Sequence, residues 1–288
     1  WRRLPSMPTA RQNMAGTVLD GTIWVVGGLG KGSSGSRRVE GYDPVINGWK
    51  SGPDLPVRLH HEMVVTYKDE LVVIGGWIPK GSNPSAETSN QVFALRGGRW
   101  VKLPSLDRPR AAGTAAVVGD RIVVAGGQAG GRLLDTTEVF DGKQWSSGAD
   151  IPTPREHLAA ASDGRFVYAV GGRALSPAKN SAALERYDPA SDRWQRLPDM
   201  PTARGGLGAA IADGHLLAVG GETPTDVLGK LESYSLARKA WSSAPSMRTP
   251  RHGIAVAAID RSLYSLGGAT RPGHASADAS AEVLRLTR

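Results

Sequence analysis

Six tryptophans and six Gly-Gly doublets share one interval that never changes. From Trp1, Trp49, Trp100, Trp145, Trp194 and Trp241, a doublet closing an apolar run begins 26 residues on, at Gly27, Gly75, Gly126, Gly171, Gly220 and Gly267. From doublet to following tryptophan the interval varies as 22, 25, 19, 23 and 21 residues. Successive doublets stand 48, 51, 45, 49 and 47 residues apart. A chain with this pattern is an array of similar supersecondary units. One half of each unit has an invariant length, and every insertion lies in the other half.

Each unit reads as four short strands. After the tryptophan strand come a Pro-rich stretch, a small-residue apolar run such as Ala15–Leu19 or Thr114–Val118, and a turn. Asp20-Gly21, Asp163-Gly164 and Asp213-Gly214 are tight-hairpin turns. A second apolar run ends in the doublet, a polar loop follows, and a third strand reads VEGYD, TEVFD, LERYD or LESYS. No 3.6-residue periodicity is present. Glycine and proline, 37 and 19 of 288 residues, fit a turn-rich all-β chain. Such sheets must cover their faces and edges, and closing them into a ring does both. The expected fold is all-β, a six-bladed β-propeller of four-stranded antiparallel blades. The chain starts on a tryptophan strand and ends on a third strand, so strand 1–4 is expected to complete the last blade in a 3+1 closure. One domain over 1–288 follows, with blades at 5–52, 53–103, 104–148, 149–197, 198–244 and 245–288 plus 1–4.

A Gly-Gly doublet after an apolar strand, a downstream Tyr, and a Trp before a Pro-x-x-Arg segment resemble the kelch repeat. The resemblance covers essentially the whole chain and implies a propeller. It departs at Leu95 and Leu284, which replace the third-strand aromatic, and at Leu59, where other units carry arginine.

Two charged columns accompany the repeat. Arg11, Arg110, Arg155, Arg204 and Arg251 stand ten residues after tryptophan, with Arg58 one residue early. Glu40, Glu138, Glu185, Glu232 and Glu282, with Gln91 in the second unit, begin the third strands. In an up-and-down blade both columns border the same face, so structural Arg–carboxylate pairing is expected rather than a free ring of cations. The variable loops open on that face and make it the expected recognition surface. Trp77 begins the longest loop, either as a partner anchor or packed on its own loop. Arg173 directly follows its doublet, at a place where kelch domains that grip acidic peptides resemble it in carrying a basic residue.

Histidines gather here too. His60, His61, His157 and His252 lie eleven or twelve residues after tryptophan in alternate units. Convergence of three imidazoles on the axis would suit a metal or anion. However, His252 is one residue out of phase with His61 and His157, so no metal and no other cofactor is expected. His61, His157, His252, Arg58, Glu222, Trp77 and Arg173 remain the candidate ligand contacts.

The chain has no cysteine, which removes disulfides, thiolate metal sites and cysteine nucleophiles. It also excludes chemistry like that of galactose oxidase, whose copper ligand is a Tyr crosslinked to Cys. No HExxH, GxSxG, phosphate loop or sialidase Asp-box is present. The net charge of +8 comes from dispersed arginines, so nucleic acid is not an expected partner. No run is apolar enough to span a membrane. The expected function is a non-catalytic, monomeric binding module for a protein segment or glycan of acidic character. The chain opens on Trp1 without a signal peptide. It is therefore expected to come from a larger protein, such as the extracytoplasmic sensor of a bacterial receptor kinase. The alternative is a sugar-active enzyme resembling a sialic-acid mutarotase, with Glu156, Glu222 and the arginines at a channel mouth.

Overall fold

The computed structural model describes residues 1–274 and 276–286, with Ser33 described by its backbone only. Ala275 of the sixth variable loop, and Thr287 and Arg288 at the end of the sixth unit, lie outside the described residues.

Six four-stranded antiparallel sheets account for the repeats. The first runs Ala15–Leu19, Thr22–Val26, Val39–Asp43 and Gly48–Ser51. The sixth runs Ala255–Ile259, Ser262–Gly268 and Asp278–Arg285, and its outer strand is Arg2–Leu4, with Arg3 opposite Glu282. First strands of adjacent blades lie side by side around the axis. Their small residues allow this crowding, and Leu158, Leu207 and Ile254 precede these strands, facing the previous blade's doublet. Two variable loops fold into extra hairpins: Trp77–Lys80 with Asn83–Thr88, and Gln128–Ala129 with Arg132–Leu133. Among the described residues no helix is long and apolar enough to cross a membrane.

Three circuits of hydrogen bonds, each running from blade to blade, explain the invariant half of the repeat. Outermost, each of the six repeat tryptophans donates its Nε1–H to a carbonyl four residues after the previous blade's repeat tryptophan. Trp1 donates to Pro245, Trp49 to Pro5, Trp100 to Pro53, Trp145 to Pro104, Trp194 to Ala149 and Trp241 to Pro198, at 2.6–3.0 Å. Next, the second glycine of each doublet donates its N–H to the following blade, at the carbonyl ten residues after tryptophan. The acceptors are Leu59, Arg110, Arg155, Arg204, Arg251 and, returning to the first blade, Arg11. Innermost, Asn13, His61, Ala112, His157, Gly206 and Gly253 form a six-membered ring, each N–H donating to the preceding member's carbonyl at 2.7–2.9 Å. All six have φ between 51° and 66°. These bonds use fixed offsets from tryptophan, so an insertion within the first four residues after it would displace its blade's partners in all three circuits.

The doublets need glycine for two reasons. Both members have positive φ, and at Gly127 a Cβ would sit 2.7 Å from the Ala111 carbonyl oxygen. The arginine column packs beneath them. Arg11, Arg110, Arg155, Arg204 and Arg251 are essentially fully buried and meet Glu40, Glu138, Glu185, Glu232 and Glu282 at 2.6, 2.5, 2.5, 3.0 and 3.6 Å. Arg11, Arg110, Arg155 and Arg251 also donate to the carbonyl of the first doublet glycine. The second blade has Leu59 and Gln91 at these two positions, so it lacks both charges together. In its wall sits Glu62, buried, with neither carboxylate oxygen in hydrogen-bond geometry. Desolvation pushes its carboxyl up to about 8, against the opposing pull of nearby backbone N–H groups and the Arg11 charge.

Candidate functional site

The inner ring leaves two sets of side chains at the axial mouth. The residue before each ring member pairs across an antiparallel bridge with the residue after the doublet. These pairs are Gln12–Leu29, His60–Trp77, Ala111–Gln128, Glu156–Arg173, Gly205–Glu222 and His252–Ala269. Their backbones are equivalent, so their side chains are where one blade can differ from another.

Side chains of four blades, and a backbone N–H of a fifth, form one polar cluster. Arg173 Nε donates to Glu156 Oε1 at 2.7 Å and Nη1 to Glu222 Oε1 at 2.6 Å, while Nη2 lies 3.0 Å from His157 Nε2. Glu222 Oε2 accepts from the Gly273 N–H at 2.8 Å. His157 Nδ1 contacts Glu156 Oε2, and Gln128 also donates to that oxygen. His157 Nε2 is 2.9 Å from His61 Nε2, and His61 Nδ1 is 2.7 Å from His60 Nδ1. His60 Nε2 ends the row 2.6 Å from the Pro84 carbonyl oxygen. Burial alone would raise the Glu156 carboxyl, but His157 and Arg173 outweigh it and hold the group down at about 2. Burial lowers His60 to about 4 and takes His61 well below its ordinary value, so both rings are neutral at pH 7.

These contacts place the sequence candidates. Arg173 is not presented to a ligand as a free cation, because two carboxylates already bracket it and its side chain is only 11% exposed. Trp77 takes the self-packed alternative. It is buried, with its ring 4.8 Å from His61 and 5.5 Å from His60, centroid to centroid. His252 stays apart from the imidazole row: Nε2 lies 2.9 Å from the Arg271 carbonyl oxygen and Nδ1 3.6 Å from Glu222. His274, on the loop between the second and third strands of the sixth blade, faces His61 at 5.6 Å between ring centroids. Its signal was the shared face of the sixth loop, without any spacing that ties it to His61.

Beyond the mouth, two concavities differ in size and chemistry. The axial one, about 150 Å³, is lined by ring residues and first-strand starts, including Asn13, His61, Glu62 and His157. It is smaller than pockets that enclose drug-sized ligands. A wider groove of about 630 Å³ lies between the first variable loop and the Pro-rich segment of the second blade. Exposed Lys31, Arg37, Arg38 and Arg58 line it, against a single acidic residue, Asp54. Arg58 is anchored there by donating to the Gly35 carbonyl at 3.0 Å.

Family models match along most of the chain: the KLHDC2/KLHL20/DRC7 Kelch-repeats domain over residues 60–268 and the Kelch motif over 10–56. Beta-scruin of Limulus polyphemus is 28% identical over 219 residues, 73% of this chain and 24% of that protein. Human Kelch-like protein 38 is 29% identical over 206 residues, 70% of this chain and 34% of that one. Kelch-like protein terF of Aspergillus terreus is 26% identical over 253 residues, 79% and 55%. This chain thus spans between a quarter and just over half the length of these relatives. The solved structure of YjhT superposes with a TM-score of 0.83 over 98% of this chain and 97% of that one, at 16% identity, a likeness of fold alone.

Proposed function

The chain belongs to the kelch-repeat β-propeller family, and on that premise we propose that it is a non-catalytic binding module for an acidic protein segment. Its contact is the groove between the first variable loop and the second blade. The observation that carries this reading is the groove's charge: Lys31, Arg37, Arg38 and Arg58 against Asp54 alone. Four exposed cations around an open concavity favour a carboxylate-rich chain and steer its approach. The mouth, by contrast, spends its charges on itself. Within a longer protein such a module serves as the sensing or docking part, an extracytoplasmic bacterial receptor being one such setting.

A sugar-active reading similar to a mutarotase rests on the convergence of Arg173, His157, Glu156 and Glu222 at the axis. Acid–base catalysis needs one of these groups in reach of a substrate proton. Here each is engaged by another, and the adjoining cavity is about 150 Å³.

Selection from acidic, neutral and basic peptide libraries tests the binding reading. Acidic sequences should be enriched, and Arg37→Glu/Arg58→Glu should abolish their capture while the variant still melts as a cooperative fold. Enrichment that ignores this double variant overturns the groove assignment. Saturation-transfer NMR of free reducing sugars tests the alternative: accelerated anomer exchange, lost in Arg173→Ala, would replace a binding module by an enzyme.

A further inference from the structure

The imidazole row at the mouth brings ring nitrogens of the second and fourth blades face to face. Both of its ends are hydrogen-bond acceptors: the Pro84 carbonyl oxygen beside His60 Nε2, and the Glu156 carboxylate beside His157 Nδ1. Between them three imidazoles make four contacts, Pro84–His60, His60–His61, His61–His157 and His157–Glu156. An imidazole that engages a partner through one ring nitrogen can coordinate through the other. With His157 Nδ1 on Glu156 and His61 Nδ1 on His60 Nδ1, the nitrogens left to coordinate are His61 Nε2 and His157 Nε2, 2.9 Å apart, and Arg173 Nη2 lies 3.0 Å from the second of them.

We propose that His61 Nε2, His157 Nε2 and a ring nitrogen of His274 bind one divalent transition-metal ion of the zinc class. The three ligand atoms lie within 4.8 Å of one another. Zinc–nitrogen bonds of about 2.0–2.1 Å at tetrahedral angles put ligand nitrogens roughly 3.3 Å apart. Thus His61 and His157 separate by a few tenths of an ångström while His274 closes in. Imidazole nitrogens suit zinc, copper and nickel rather than calcium or magnesium.

Two further features belong to a metal site rather than to a packed polar core. Each buried ligand has its other ring nitrogen oriented by a partner, His157 by the Glu156 carboxylate and His61 by His60 Nδ1. Such outer contacts fix the tautomer with the lone pair on the coordinating nitrogen. The local charge also favours a cation. Glu156 and Glu222 carry two negative charges against the one positive charge of Arg173. On metal binding Arg173 loses its contact with His157 Nε2 but keeps both carboxylates.

Zinc titration by calorimetry on untagged, chelator-stripped protein at neutral pH is the test, with Co²⁺ absorption as a second readout. The expected result is one ion per chain with a Kd of about 1 μM or below, and visible bands of imidazole-ligated Co²⁺. His61→Ala and His157→Ala should each weaken binding at least about 100-fold, and Glu156→Gln about 10- to 100-fold. These alanines are compatible with the fold, since Ala112 occupies the equivalent ring position at φ 53°. His215→Ala, whose imidazole is tied to the Asp213 carbonyl outside the mouth, should bind zinc as the parent does. No saturable binding by the parent, or equal binding by the His61→Ala/His157→Ala double variant, overturns the proposal.

Discussion

Arg155 Nη1 lies 2.5 Å from Glu185 Oε2, and neither side chain is more than 1% exposed. The same contact recurs in every blade but the second, where Leu59 and Gln91 stand in place of both partners. A buried ion pair is costly to halve and far less costly to remove whole, because halving it strands a desolvated charge. Arg155→Leu alone should cost about 3–5 kcal/mol. The double change Arg155→Leu/Glu185→Gln, copying the second blade, should cost markedly less. Urea unfolding of the two single variants and the double checks this. A double variant as unstable as the summed singles would show that the pair has no such coupling.

Gly127 and Gly130 separate close approach from backbone conformation. Both have positive φ, 89° and 55°. Around Gly130 a Cβ meets no described atom within 4 Å, whereas at Gly127 it strikes the Ala111 carbonyl and Gly113. Gly130→Ala should cost only the left-handed penalty, about 1–2 kcal/mol. Gly127→Ala should cost more than about 3 kcal/mol, since the backbone at Ala111 and Gly113 must move to admit the methyl group. Equal melting temperatures for the two variants would refute the close-approach account.

Strand Arg2–Leu4 is held to the sixth blade by its pairing with Ala281–Val283 and by the Trp1 indole on Pro245. Deleting residues 1–4 exposes the edge of that sheet and removes one link of the outer circuit. Calorimetric melting should fall by roughly 10 °C or more, equivalent to several kcal/mol in a domain this size. An unchanged melting curve would mean that the inner circuits alone hold the ring.

Glu62 predicts a stability that falls with rising pH. Its folded pKa of about 8 lies above the ordinary value of 4.5. Below 4.5 the carboxyl is protonated in both states and costs nothing. Above it the unfolded chain ionises while the folded one keeps its proton, so stability declines by about 1.4 kcal/mol per pH unit until the group ionises near pH 8. His60 works in the opposite direction, losing stability as pH falls below its ordinary value, so the difference between parent and Glu62→Gln isolates the carboxyl. That difference, from urea midpoints between pH 5 and 8, should grow with pH in favour of the variant. A flat difference would mean that Glu62 is ionised in the folded state.

The blade architecture was legible because it is enforced at constant offsets. Tryptophan, the carbonyl ten residues later, the ring residue at twelve and the doublet at twenty-six each carry a bond to a neighbouring blade. The mouth was less legible for the opposite reason. Its backbone positions are equally regular, but Glu156, Arg173 and Glu222 form no column, and Arg173 meets Glu222 across 49 residues. A signal did exist: the residue before each ring member bridges to the residue after the doublet, so these two offsets read together bring Glu156 to Arg173. Nothing comparable marks His274, whose approach to His61 depends on the path of a loop of irregular length. Trp77 shows the same limit, since only the folded hairpin decides between a presented indole and a covered one.

The innermost ring is made wholly of main-chain amides, and its six members are asparagine, two histidines, alanine and two glycines. Side-chain identity at the mouth is therefore nearly independent of what closes the propeller. Mutational drift can rewrite this surface one blade at a time, as letters change in a fixed typeface frame, while the frame continues to lock. In this chain the rewriting has put nitrogen donors on the second and fourth blades and carboxylates on the fourth and fifth. Relatives of the same architecture are free to place other chemistry over the same opening.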